Sequence, residues 1–380
     1  MKKIVFVLLI VLIILGIIFI PKYISKIDVS KDKVEEEVVE SNDLFGKYYT
    51  KANKVLKNMT IEEKVGQLFL VRYDVNYAPR WVKNNYAGGF ILFAKDFNGK
   101  TKETINKELN NLKDMSSNGL IIAVDEEGGF VTRVSRYTNF RDSKFLAPRD
   151  YYAEGGYELL EKTEIEKAQL LLSLGINLNL APVADVSTNE EDFINNRAFG
   201  KGATETADFV KHMVGYAKNE GISCSLKHFP GYGNNIDTHD GIAIDNRSYE
   251  DISSNDYLPF IAGIEEGVPT ILVSHNIVNC LDSSKPASLS EKVIKELREK
   301  LEFSGIIITD DLAMDAVKEY VDNGNAATLA INAGNDLIIT SSFDEMYDEV
   351  LEAVNNGEIK EEVIDTAVRR ILAYKLAYKM

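Results

Sequence analysis

The chain has 380 residues, 45% of them hydrophobic, and a formal net charge of −16. That apolar content is ample for a full core, and the acidic balance argues against a nucleic-acid or polyanion-binding surface as the main role. With only two cysteines, Cys224 and Cys280, there is no disulfide framework and no metal-type cysteine spacing.

After Lys2 and Lys3, residues 4–20 are apolar apart from Gly16. A helix of that length reaches about 26 Å, near the lower limit for crossing a bilayer. Pro21, Lys22, Tyr23 and Ile24 follow without a small-x-small cleavage pattern, and no lipobox-like cysteine is present. Residues 1–24 therefore predict an uncleaved, single-pass signal anchor, with the two lysines inside and the remainder exported. A cleaved signal peptide, which would leave the protein secreted, is the alternative. Residues 25–45 are rich in Glu and Lys and predict a solvated linker. Residues 46–380 predict one catalytic domain.

Within that domain, Thr60 with Glu63 three residues later marks a helix start of the capping-box type. Short aliphatic runs then alternate with longer segments of helical period. The strand-like runs are 67–73, 89–93, 120–124, 177–181, 223–226, 270–274, 305–309 and 336–340. Helical segments are predicted over 101–115, 156–174, 204–219, 289–301, 315–333 and 361–378. Eight strands, apolar on both faces and alternating with helices, predict a closed (β/α)8 TIM-type barrel, with an open doubly wound sheet as the competing fold. In a barrel, reactive side chains gather at the carboxyl ends of the strands. Asp74, Asp125, Glu126, Glu127, Asp185, Lys227, His228, His275, Asp310 and Asp311 all fall at or just past such ends.

The densest chemistry follows the fifth run. Lys227-His228-Phe229-Pro230-Gly231-Tyr232-Gly233-Asn234 leads to Asp237-Thr238-His239, so two of the four histidines lie in one Gly- and Pro-punctuated loop. An imidazole titrates near neutrality and transfers protons in both directions; Asp237, two residues before His239, is placed to fix its tautomer.

Several motifs occur together in order: Val124-Asp125-Glu126-Glu127-Gly128-Gly129-x-Val131-x-Arg133, Leu180-Ala181-Pro182-Val183-Ala184-Asp185-Val186, Asn196-Arg197-Ala198-Phe199-Gly200, Lys227-His228-Phe229-Pro230-Gly231, Asp237-Thr238-His239 and Thr309-Asp310-Asp311-Leu312-Ala313-Met314. This set resembles glycoside hydrolase family 3, in its β-N-acetylglucosaminidase branch, over about residues 55–375. The resemblance implies a retaining exo-glycosidase acting on terminal β-linked N-acetylglucosamine in cell-wall fragments or chitooligosaccharides. It implies that Asp310 is the nucleophile, that His239 is the general acid/base, and that Asp237 is its partner. It further implies that Asp125, Arg133, Arg197, Lys227 and His228 hold the non-reducing-end sugar, with Asp185 and His275 behind them. Asp311 is expected to point elsewhere than Asp310 and to cap or support. No cofactor and no metal are implied, and a monomer is expected.

The chain departs from the family pattern in places. The common Lys-His-Phe-Pro-Gly-His-Gly-Asp ends here in Tyr232-Gly233-Asn234. Glu126 stands where Gln is usual, and Phe130 where Arg is common. These departures leave a weakened or purely saccharide-binding relative as one alternative. A metal-dependent barrel hydrolase, using His228, His239, His275 and Asp310 as ligands, is another.

Overall fold

The computed structural model describes residues 43–233, 235, 243–321 and 325–380. The predicted anchor over 1–24 and almost all of the linker lie outside the described residues, as do Asn234, Asp237 and His239. Among the described residues no helix is long and apolar enough to cross a membrane.

Eight parallel strands build one sheet: β1 (Phe69–Arg72), β2 (Gly89–Leu92), β3 (Ile121–Val124), β4 (Leu178–Asn179), β5 (Ser223–Phe229), β7 (Thr270–Val273), β9 (Ile306–Thr309) and β10 (Ile338–Thr340). Their order is β10-β1-β2-β3-β4-β5-β7-β9. The two ends of that order meet through a parallel bridge between Ile308 and Leu337, where Thr309 N donates to Leu337 O at 3.0 Å. The sheet is thus a barrel, as the alternation of apolar runs and helical segments predicts. Strands β2, β3, β5, β7, β9 and β10 are buried along their whole length, which is why all but β5, where Ser223, Ser225, Lys227 and His228 are polar, read as largely apolar runs.

The shortest strand, β4, is supplemented by side chains that imitate backbone. Asn177 Oδ1 accepts from Ile122 N at 2.8 Å and its Nδ2 donates to Leu120 O at 2.9 Å. Asn179 does the same for Glu126, accepting from its N at 2.9 Å and donating to its O at 3.2 Å. The second pair fixes the start of the loop that carries Asp125 to Glu127.

The capping box at Thr60 is present, with Glu63 N donating to Thr60 and Thr60 N to Glu63. Three predicted helices differ in detail. The segment predicted over 156–174 begins earlier, at Pro148, and is broken at Gly155 and Gly156 within Pro148–Ser173. The 289–301 segment starts at Glu291 behind a Ser290 cap and widens into a π-turn over Glu296–Lys300. The 315–333 segment is two helices, Asp315–Tyr320 and Ala326–Ala333. A two-stranded parallel ribbon, β6 (Ile244–Asp245) with β8 (Ile277–Val278), was not predicted.

Candidate active site

At the carboxyl end of the barrel the strand ends and their loops surround a cavity of about 470 Å³. Asp125, Arg133, Arg197, Lys227, His228 and Asp310 all line it. Six residues spread over 186 positions of sequence thus share one site because strand order places their loops side by side.

Glu127 is the hub. It is 4% exposed. Lys227 Nζ lies 2.6 Å from its Oε1 and 2.7 Å from Asp125 Oδ1. Arg197 grips the same carboxylate with two nitrogens, Nη2 to Oε1 at 2.7 Å and Nε to Oε2 at 3.1 Å. Burial alone would raise the Glu127 carboxyl, but the Arg197 and Lys227 charges outweigh it and hold the group well below the usual carboxylate range. Arg197 feels the converse: burial disfavours its charge, and Glu127 more than compensates.

His228 is fixed from both sides. Its Nδ1 lies 2.8 Å from Asp185 Oδ2, and its Nε2 lies 3.2 Å from Arg197 Nη2. A guanidinium only donates, so Nε2 accepts and Nδ1 carries the proton. Asp185 also accepts His228 N at 3.0 Å and Tyr232 N at 2.8 Å, so the carboxylate supports the site from behind. Tyr232 stands edge-on to the His228 ring, 5.0 Å between centroids, and lines the cavity. The aromatic departure from the family pattern is therefore a wall of the site.

Asp310 follows β9, and its N donates to Val273 O at 3.0 Å. Its Oδ1 accepts Asp311 N at 2.8 Å. Asp311 also borders the cavity, but its carboxylate turns to the rim, taking Ala313 N at 2.9 Å and Ser341 N at 3.2 Å. It caps a turn, as expected of the neighbour.

Four of the strand-end residues, Asp74, Glu126, Asp185 and His275, are not in the cavity lining; Asp185 holds His228 from behind and Glu126 binds the amides of Arg133 and Val134. Asp74 caps its own turn, accepting Asn76 N at 2.8 Å. His275 is fully buried, with Nδ1 2.7 Å from Ser288 Oγ and Nε2 3.1 Å from Asp311 O. Both described histidines of the metal reading thus have their ring nitrogens engaged by protein atoms. Among the described residues no three His, Cys, Asp or Glu side chains converge as metal ligands. His239 and Asp237 lie outside the described residues, on the stretch between Tyr232 and Ala243. Just beyond it, Arg247 is held by Asp245 (Nη2 to Oδ2, 2.7 Å) and Asp256 (Nη1 to Oδ2, 2.8 Å). Burial pushes the Asp256 carboxyl up to about 6 in spite of Arg247.

Sequence reasoning missed Arg72 and Phe93. The Arg72 guanidinium lies 3.9 Å from the Phe93 ring centroid, and that of Arg133 lies 5.4 Å from it. Asp96 pairs with Arg72 at 2.7 Å. The available signal was an arginine near the carboxyl end of the strand-like run 67–73.

The profile of the Glycosyl hydrolase family 3 N terminal domain matches residues 60–374. The chain belongs to glycosyl hydrolase family 3. Its relatives include a beta-hexosaminidase of Hydrogenovibrio crunogenus, 31% identical over 271 residues that make up 70% of this chain and 75% of that protein. A beta-hexosaminidase of Methylobacillus flagellatus is 31% identical over 278 residues, 72% of this chain and 78% of its own. Among solved structures, a family 3 beta-N-acetylglucosaminidase from Paenibacillus sp. FPU-7 superposes with a TM-score of 0.79 at 28% identity, covering 84% of this chain; the chain spans 63% of that protein. A beta-N-acetylhexosaminidase from Beutenbergia cavernae superposes with a TM-score of 0.75 at 26% identity, covering 84% of this chain and 99% of that one. As a family 3 member the chain is a glycosidase. Its cavity suits the role, because alternating carboxylates and cations offer a polyhydroxylated ligand both acceptors and donors.

Proposed function

We propose that this chain is a retaining exo-glycosidase that removes terminal, non-reducing β-linked N-acetylglucosamine from cell-wall fragments or chitooligosaccharides. One observation carries the reading: Asp310 lines the same cavity as the Asp125, Lys227, Glu127 and Arg197 cluster, at the carboxyl end of a barrel whose strands are buried. The filled barrel interior makes the cavity blind, so a sugar chain enters by its end and cannot thread through.

In this reading Asp125, Arg133, Arg197, Lys227 and His228 hold the terminal sugar. The Asp310 carboxylate attacks the anomeric carbon, and the bond to the leaving oxygen breaks as His239 gives that oxygen a proton. Water, deprotonated by the same imidazole, then releases the sugar from Asp310 with retained configuration. Asp237 orients His239. The beta-hexosaminidase relatives support the choice of sugar. The proposal extends to location: residues 1–24 anchor the chain in the cell membrane with the catalytic domain outside.

The test is hydrolysis of an aryl β-N-acetylglucosaminide with EDTA present. Turnover survives the chelator, and NMR finds the β-anomer of the product first. Asp310→Ala lowers kcat by at least about 10⁴-fold. His239→Ala costs about 10²-fold or more on a disaccharide and less on the activated aryl substrate, whose leaving group needs little protonation. An initial α-anomer would refute retention. Turnover unaffected by Asp310→Ala would remove the nucleophile. For location, the full chain sediments with membranes and a chain starting at Asp43 does not; equal partitioning would rule the anchor out.

A further inference from the structure

We propose that Phe130 is a platform for the sugar on the leaving-group side, and that it sets a preference for longer β-N-acetylglucosaminide chains; this rests on the reading above. Phe130 is 75% exposed, the most exposed large apolar side chain among the described residues. Single exposed apolar groups are common, and exposure alone says little. The argument lies in how the ring is held.

Residues 128–131 close a tight turn: Gly128 N donates to Val131 O at 3.1 Å, and Val131 N donates to Gly128 O at 3.2 Å. Gly128 and Gly129 both have positive φ, 104° and 62°. A β-carbon on Gly128 would sit 2.2 Å from Leu146 O, and one on Gly129 2.9 Å from the Ala147 side chain. Only glycines let this turn rest directly on the neighbouring segment. Gly129 N donates to Phe145 O at 2.9 Å, and Lys144 Nζ donates to Gly129 O at 3.0 Å. On the far side the buried Glu126 carboxylate takes Arg133 N and Val134 N, both at 2.7 Å, together with the Ser135 hydroxyl. The loop is therefore pinned at both flanks, and it presents an apolar ring to water at its tip.

The same loop forms the cavity wall. Asp125, Glu127 and Val131 line the cavity, so the ring projects from the residue next to a lining residue. Because the cavity is blind and takes the terminal sugar, whatever lies beyond its rim meets the following sugars. The C–H face of a β-linked pyranose is apolar and weakly positive, and it stacks on the negative face of an aromatic ring. Leu146, on the segment beneath the turn, is 41% exposed as well. Phe130 stands where the related pattern commonly has arginine, so an apolar ring takes the place of a charge at this tip.

The experiment is calorimetry on the turnover-deficient Asp310→Ala protein, comparing N-acetylglucosamine with its β-1,4-linked trisaccharide. The readout is the ratio of the two affinities. Phe130→Ala lowers the trisaccharide-to-monosaccharide ratio about tenfold, and Phe130→Trp restores it. An unchanged ratio with both saccharides bound overturns the platform and leaves the glycosidase reading intact. An equal loss for both saccharides also overturns it, since the turn would then be acting on the cavity. Failure of either saccharide to bind any of the three proteins overturns both readings.

Discussion

At the scale of single residues, two cations share one buried carboxylate. Arg197 and Lys227 both end on Glu127, and Arg197 reaches His228 with the same nitrogen it offers Glu127. Removing the Glu127 charge takes from Arg197 the carboxylate it grips and leaves Lys227 with Asp125 alone; breaking a buried ion pair costs about 3–5 kcal/mol. Glu127→Gln is therefore expected to lose about that much stability at pH 7 by urea denaturation. The carboxyl is held below its ordinary value of 4.5 by Arg197 and Lys227 against the effect of burial. Its contribution is thus fully present above that value and is lost as pH falls towards the folded-state value. The gap between wild type and variant should narrow below pH 4.5, and a gap independent of pH would show that Glu127 is not the ionised hub. The sequence made Asp125, Lys227 and Asp310 legible because each lies at a strand end, and Arg197 only through the motif Asn196-Arg197-Ala198-Phe199-Gly200. It did not distinguish Glu126 from Glu127, two adjacent carboxylates with opposite tasks. Glu126 turns inward to bind the amides of Arg133 and Val134, and Glu127 turns to the cavity. The direction of each is set by a loop backbone that no residue period encodes.

At the scale of elements, the barrel strands were legible because burial on both faces makes most of them largely apolar, with polar residues such as Arg72, Lys227 and His228 towards their carboxyl ends. The β6 and β8 ribbon was not, since two residues carry no period. The 315–333 segment reads as one helix, yet Asn325, at φ 70°, begins a second one; a left-handed cap is a tertiary choice that a single asparagine does not announce. The last helix, Glu361–Ala377, was legible throughout, but the consequence of its buried face was not. Lys375 is 2% exposed and donates to Gln67 Oε1 at 2.7 Å and Gly119 O at 2.9 Å, both neutral. Burial pulls its ammonium down to about 7 from 10.5. Between those values the unfolded chain holds the proton and the folded chain does not, so folding gains stability as pH rises. Relative to Lys375→Met, the wild type should gain about 2 kcal/mol between pH 7 and pH 9. Urea melts of both proteins at the two pH values measure it, and parallel pH dependence would show the lysine charged in the fold.

At the scale of the whole molecule, the site exists only while the barrel is closed, because its residues come from loops on both sides of the seam between β9 and β10. That seam has a single parallel bridge, Ile308 with Leu337, whereas β7 and β9 pair over four residues. Asp336, 2% exposed, compensates. Its Oδ2 accepts Ile307 N at 2.8 Å, and its two oxygens pair with Arg298 and Arg370. One carboxylate thus joins the backbone of β9, the chain entering β10, the turn before β9 and the last helix. Burial lowers Arg298 to about 10 even with Asp336 beside it, so it keeps its charge at neutral pH and needs that partner. Asp336→Asn keeps the shape and removes the charge, leaving two buried guanidiniums underpaired at a cost of about 3–5 kcal/mol. The loss should be local before it is global, because the seam is where the strand ladder is thinnest. Hydrogen exchange in the variant should speed up first in β9 and β10, with β2 and β3 protected until denaturant is added. Uniform acceleration around the barrel would mean that Asp336 supports the fold as a whole and that the seam has no special weakness. Faster exchange confined to β9, which leads directly into Asp310, would couple closure of the barrel to the position of the proposed nucleophile.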